Sequence, residues 1–167
     1  MTSRLCLVAG LTLALAGCST PKTATSVLQA AQTAMGPVNS IQYAGTGING
    51  NFGQALMAGE EWPHRELSGY SRTINYEQRS AREEINFAQP TFGGQQQNTQ
   101  VNGDKAWNVG PNGPAPQLAA AEERQLLIWL TPHGFLKAAT AAGNATLSEA
   151  PGADMVSFMA LGKYKVD

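Results

Sequence analysis

His64 and His133 are the only imidazoles in this 167-residue chain, and they limit the metal and acid–base chemistry open to it. A catalytic zinc usually takes three protein ligands, often histidine, and neither H-x-H nor H-E-x-x-H spacing occurs. His133 follows Pro132 on what reads as the first turn of a helix, which already accounts for it structurally. Glu60-Glu61 and Glu83-Glu84 are adjacent carboxylates in strand-like sequence. Neighbours on a strand point to opposite faces, so neither pair can act together as general acid and base. No G-x-S-x-G elbow offers an activated serine. Gly45-Thr-Gly47-Ile-Asn-Gly50 matches the G-x-G-x-x-G spelling of a dinucleotide turn, but Gly53 follows and no helix pattern opens at Gly50. The segment is expected to be the glycine-rich turn of a hairpin. Asn144-Ala-Thr146 is a formal glycosylation sequon. No catalytic residue, metal or cofactor is expected in this chain.

The most informative reactive residue is a cysteine. Arg4 precedes an apolar run over 5–16, too short for a stable membrane span and suited to the core of a signal peptide. The run ends Leu15-Ala16-Gly17-Cys18, which resembles the lipobox of bacterial lipoproteins. The resemblance implies cleavage before Cys18, diacylglycerol on its thiol and a membrane partner through that anchor. Ser19, being non-acidic, implies the periplasmic face of the outer membrane. Cys6 leaves with residues 1–17 and Cys18 is acylated, so no disulfide is expected. Asn144 is then not expected to be glycosylated. Net charge is −1, with only 14% charged residues and no acidic or basic block, which argues against a nucleic-acid partner. The length suits one domain with a real core, and 18 glycines fit a turn-rich, β-rich exported protein.

The segment most sharply punctuated is 119–142. Glu122, Glu123 and Arg124 mark the wet start of a helix, and Leu126 to Leu130 form an apolar run that should be covered nearly all round. Pro132 disfavours the α conformation at Thr131. Thr131 is therefore expected as the N-cap of a second helix, with Pro132 its first residue and Gly143 its close. Leu130 and Phe135 occupy the two positions of a hydrophobic staple.

Around this pair, a polar tether over 18–25 leads to a short helix over 26–35, stopped by Gly36-Pro37. A hairpin is expected from Ile41 and Tyr43 through the glycines to a second strand at 52–57. Strands follow at 65–77 and 80–89, with Tyr70, Ile74 and Tyr76 on one face of the first and Ala81, Ile85 and Phe87 on one face of the second. Residues 90–98 read as a long polar connection. Two short strands meet at Asn102-Gly103-Asp104, and 111–116 reads as a proline-rich break. Residues 144–149 and 154–166 are expected as the last two strands.

Three blocks carry a family resemblance: WPHRELSGYSRTINYEQRSAREE over 62–84, VNGDKAWNV over 101–109 and AAAEERQLLIWLTPHGFLKAA over 119–139. In this order they look like the N-terminal region ahead of the catalytic domain in exported bacterial MBL-fold metallo-hydrolases. The catalytic signature of that family, H-x-H-x-D-H, lies downstream of this region and is absent here. The resemblance implies a non-catalytic accessory module, or a fragment of a zinc-dependent hydrolase. The order of elements is also similar to the lipoprotein-carrier (LolA/LolB-type) fold, an incurved sheet capped by helices that shelters acyl chains. That pattern continues with further strands, so residues 26–167 are expected to be one α+β domain, free-standing or truncated at its C-terminus. The expected architecture is an incurved antiparallel sheet, a partial half-barrel, with a two-helix cover and a short N-terminal helix. A hydrophobic ligand or protein partner is expected at an apolar face formed by Trp129, Leu130, Phe135, Leu136 and Phe158.

Overall fold

The computed structural model describes residues 21–50, 53–89 and 95–167. Cys18 and the apolar run over 5–16 lie outside them, as do Phe52 and Phe92. The described residues form an α+β fold with an open six-stranded antiparallel sheet, a separate three-stranded sheet and three α-helices.

Helix α1 (Ala24–Met35) begins two residues before its expected start. Thr23 is the N-cap, accepting from the Ser26 amide, while the Ser26 hydroxyl accepts from the Thr23 amide in a reciprocal capping box. Gly36 ends it at φ 76°.

The large sheet is a meander of six strands in chain order: β1 (Ser40–Gly50), β2 (His64–Asn75), β3 (Ser80–Phe87), β4 (Gln96–Asn102), β5 (Lys105–Gly110) and β6 (Gly113–Pro116). Four expectations are corrected here. The glycine-rich stretch is not a hairpin turn, since β1 runs straight through it, paired with β2 and irregular only between Gly45 and Gly47. Residues 53–57 are turn and bend, so no strand follows there, and Glu60-Glu61 sit in the same irregular stretch. The polar connection is shorter than expected, because Gln96, Gln97 and Asn98 pair with β3; residues 90–94 lie outside the described residues. Finally, 113–116 is a strand despite Pro114 and Pro116. It occupies the sheet edge, where a missing amide donor is tolerated. The Gln117 amide donates to the Ala106 carbonyl. With Gly110 opposite Gly113 closing a two-residue turn, alternation directs the nitrogens of Pro114 and Pro116 away from β5.

After a 3-10 turn (Leu118–Ala120) come α2 (Ala121–Trp129) and α3 (Pro132–Ala142). The joint matches its local signals. Thr131 is extended at φ −75°, ψ 154° and accepts from the Gly134 amide, Pro132 opens α3, and Gly143 closes it in the left-handed conformation. Thr131 also gives its hydroxyl proton to the Ile128 carbonyl at 2.7 Å. The Tyr76 hydroxyl, 2.9 Å from Thr131 Oγ1, must then donate to that hydroxyl oxygen. This bond ties the joint to the turn after β2. Gly134 is required there: a Cβ on it would meet the Ile128 carbonyl oxygen at 2.1 Å and Thr131 Oγ1 at 2.7 Å.

The single sheet beneath both helices is corrected to two. Helix α2 packs Ala121 and Ile128 on Ile74, Val101 and Ala106 of the large sheet and on Tyr76 in the turn after β2. Helix α3 packs with α1 on the small sheet, made of β7 (Thr146–Ala150), β8 (Ala153–Ala160) and β9 (Tyr164–Val166). There Leu28, Ala139, Val156, Phe158 and Ala160 form a second core. The strand expected over 154–166 is in fact β8 and β9, folded at Leu161 and Gly162, both at positive φ. Pairing Phe158 with Val166 and Ala160 with Tyr164 keeps all four on one face. Lys163 and Tyr164 reach back to the Glu122 carboxylate in the first turn of α2, joining the two layers. The end of α2 is less covered than expected, since Leu127 and Leu130 are exposed.

Candidate functional site

The α2-side face of the large sheet is organised in rows set by strand register. The first row is Ile41, Ile74, Ala81, Val101 and Ala106, which α2 covers. The next row is Tyr43, Arg72, Glu83, Thr99 and Asn108, followed by Gly45, Tyr70, Ile85 and Gln97. The cover thins there. Arg124 and Leu127 of α2 flank a small hollow lined also by Arg72, Glu83 and Thr99, while Tyr43 is exposed and Tyr70 and Ile85 are half-buried.

A polar cluster occupies this open part. The Tyr70 hydroxyl donates to Glu83 Oε2 at 2.7 Å, Arg72 lies 3.4 Å from the same oxygen, and the Tyr70 ring stacks on Tyr43 with centroids 6.0 Å apart. Burial holds the Tyr70 phenol above the usual range, and the hydrogen bond to Glu83 and its negative charge push the same way. A phenol so held is a standing donor and not a base. Arg124 donates to the Gln100 and Trp107 carbonyls at 3.0 and 2.8 Å and to Asn108 Oδ1 at 2.6 Å, fixing α2 across β4 and β5. Gln125, buried, does the same for the Arg79 carbonyl at 2.6 Å. Arg72 Nε is buried without a hydrogen-bond partner among the described residues.

Glu83 and Glu84 do point to opposite faces. Glu84 takes Ser71, Arg82 and Asn98 on the far side of the sheet. Among the described residues, no group of three or more His, Cys, Asp and Glu is placed to hold a metal. His64 is exposed at the start of β2, and His133 sits on α3.

Of the five residues expected to share an apolar face, four are divided between the two cores and Leu130 belongs to neither. Phe135 and Phe158 meet edge to face at 5.1 Å, with Leu136 in the same cluster, and Phe158 is only 4% exposed. Trp129 packs against the other core, its ring tilted on Tyr76 at 6.5 Å. Leu130 is 47% exposed at the joint between them. The residues that line the open sheet face, Tyr43, Tyr70, Arg72, Glu83, Ile85 and Arg124, were not singled out from sequence as a site. Tyr70 and Ile85 were placed on strand faces, but pairing them with Arg72 and Glu83 needs the register that follows the turn at 76–79.

No family model, curated protein or solved structure matches this chain.

Proposed function

We propose that the chain is a lipid-anchored, non-catalytic module of the bacterial cell envelope, held through Cys18 at the periplasmic face of the outer membrane. It receives an apolar ligand, or the acyl portion of a lipoprotein, on the α2-side face of an incurved half-barrel sheet. The observation that carries this reading is the incomplete cover of that face. Helix α2 closes one row, while Tyr43, Tyr70 and Ile85 beyond it stay accessible to an apolar body beside Arg72 and Arg124. The element order adds support, since a first helix, a strand meander, a helical pair and further strands is the order of the lipoprotein-carrier resemblance. The hydrogen-bonded Tyr70–Glu83 pair supports binding over catalysis, because its proton is held in place.

A long-chain fatty acid competing with a hydrophobic fluorescent dye tests the reading. Saturable binding is expected, weakened roughly tenfold by Ile85→Asp, which removes apolar area from the face. A monomeric protein that takes up neither probe refutes it.

The accessory-module reading has one observation of its own. The three blocks that resemble the hydrolase N-terminal region fall on β2–β3, β4–β5 and α2–α3, and Tyr76, Val101, Ala106, Ala121 and Ile128 from them form one core. An H-x-H-x-D-H sequence encoded just past Asp167 would favour that assignment, and its absence would favour the free-standing binder.

A further inference from the structure

The C-terminal turn of α1 and the first turns of α3 enclose a cleft of about 530 Å³ that shares no lining residue with the sheet face. This is within the range of about 300–1,000 Å³ usual for small-molecule sites. His133, Lys137, Gln29, Thr33, Val38 and Leu136 line it.

The walls are held from behind. Gln32 Nε2 bridges α1 to α3, donating to the Leu136 carbonyl at 3.4 Å and to Thr140 Oγ1 at 3.0 Å. Thr33 gives its hydroxyl proton to the Gln29 carbonyl at 2.9 Å. Those groups are used structurally, whereas the His133 imidazole and the Lys137 ammonium are not. His133 Nε2 is buried without a hydrogen-bond partner among the described residues. The Lys137 ammonium makes no ion pair among them; its only marked contact is with the Tyr76 ring, 5.8 Å from the centroid. Among the described residues no acidic side chain lines the cleft, and Pro37, Val38 and Leu136 supply apolar wall.

A buried imidazole nitrogen left unpaired costs free energy that a ligand atom can recover. Lys137, one turn further along α3 and lining the same cleft with no ion pair among the described residues, selects for negative charge. We propose that this cleft is a second binding site, taking the carboxylate of a small organic acid between His133 and Lys137 and its apolar body against Val38 and Leu136. The site is independent of the sheet-face reading, since either can fail without the other.

Hexanoate, its neutral analogue hexanamide and inorganic phosphate, titrated into the purified protein and followed by the imidazole resonances, form the test. With two histidines in the chain, His133→Gln assigns the His133 signal. Hexanoate is expected to shift His133 saturably and leave His64 unmoved, with hexanamide and phosphate each at least about tenfold weaker, the loss of one charge-assisted contact or of the apolar wall. Lys137→Met should weaken hexanoate by a similar factor, and Lys137→Arg should restore most of it. Overturning results are a His133 signal indifferent to hexanoate, hexanamide or phosphate binding as well as hexanoate, or an unchanged affinity in folded Lys137→Met. Should Lys137→Met not fold, the three-ligand comparison on the unaltered protein decides alone.

Discussion

Replacing Gly134 by alanine should destabilise this protein, although the same change inside an exposed helix ordinarily stabilises by about 1 kcal/mol. The reversal comes from the joint. The new methyl carbon would stand 2.1 Å from the Ile128 carbonyl oxygen and 2.7 Å from Thr131 Oγ1. Reaching ordinary contact requires α2 and α3 to part by roughly 1 Å, an overpacking that costs about 1–3 kcal/mol. That movement also strains the Thr131 cap on the Gly134 amide, a bond worth about 1 kcal/mol. Setting the propensity gain against these losses leaves a destabilisation of about 2 kcal/mol. At the size of this chain that corresponds to a fall in Tm of roughly 4–8 °C. Urea unfolding followed by far-UV circular dichroism measures it, and an unchanged m-value assigns the effect to the folded state. Gly134→Ala at or above the stability of the parent would mean that α2 and α3 do not approach this closely, and the account of the joint would fall with it.

Ile128→Ala should cost about 2–5 kcal/mol in the same assay, because Ile128 is fully buried, whereas Trp129→Ala should cost less than the roughly 3–5 kcal/mol of a fully buried aromatic. The reverse order would place α2 the other way round on the sheet. Stability should decline as pH rises above about 10, where unfolded tyrosine ionises while Tyr70 in the fold keeps its proton. That contribution is complete below pH 10 and is lost as pH climbs toward the raised folded value, so the alkaline decline should be shallower in Tyr70→Phe; identical pH profiles would remove the Tyr70–Glu83 coupling. Cys18→Ala should release the protein from the membrane fraction, since stable anchorage needs more than one acyl chain or other membrane signal. Membrane retention equal to that of the parent would rule out the lipid anchor.

The parts of the fold legible from sequence are those governed by neighbours in the chain. Thr131, Pro132 and Gly143 bound α3 because capping and proline geometry act within one helical turn. The turn at Gly103 between β4 and β5 is legible for the same reason. What was hidden depends on distant partners. Glycines at 45–50 signal a turn locally, yet pairing with β2 holds them extended. Pro114 and Pro116 signal a break, and only a position at the sheet edge makes them compatible with a strand. Leu161 conceals the β8–β9 turn because it is apolar, and the three-residue loop preserves the alternation on either side of it. The site followed the same division. Phe135, Leu136 and Phe158 have the composition of a binding face, but the second sheet beneath α3 buries Phe158 and packs against Phe135 and Leu136, leaving Leu136 one side on the cleft between α1 and α3. Arg72 and Glu83 become neighbours only through the register of β2 on β3.

The two edges of the large sheet are finished differently. Every outward-facing nitrogen of β6 belongs to a proline, so that edge has no amide to offer an added strand. The other edge, β1, spans 11 residues with neither proline nor charge, and its Tyr43 and Ile48 are exposed. Strand addition to this sheet is therefore one-sided. Two copies joined β1 to β1 about a two-fold axis would present only proline-blocked edges at either end, and growth would stop at that pair. Were copies concentrated on a membrane by the proposed Cys18 anchor, that asymmetry of the large sheet would favour pairing over open-ended strand addition through it.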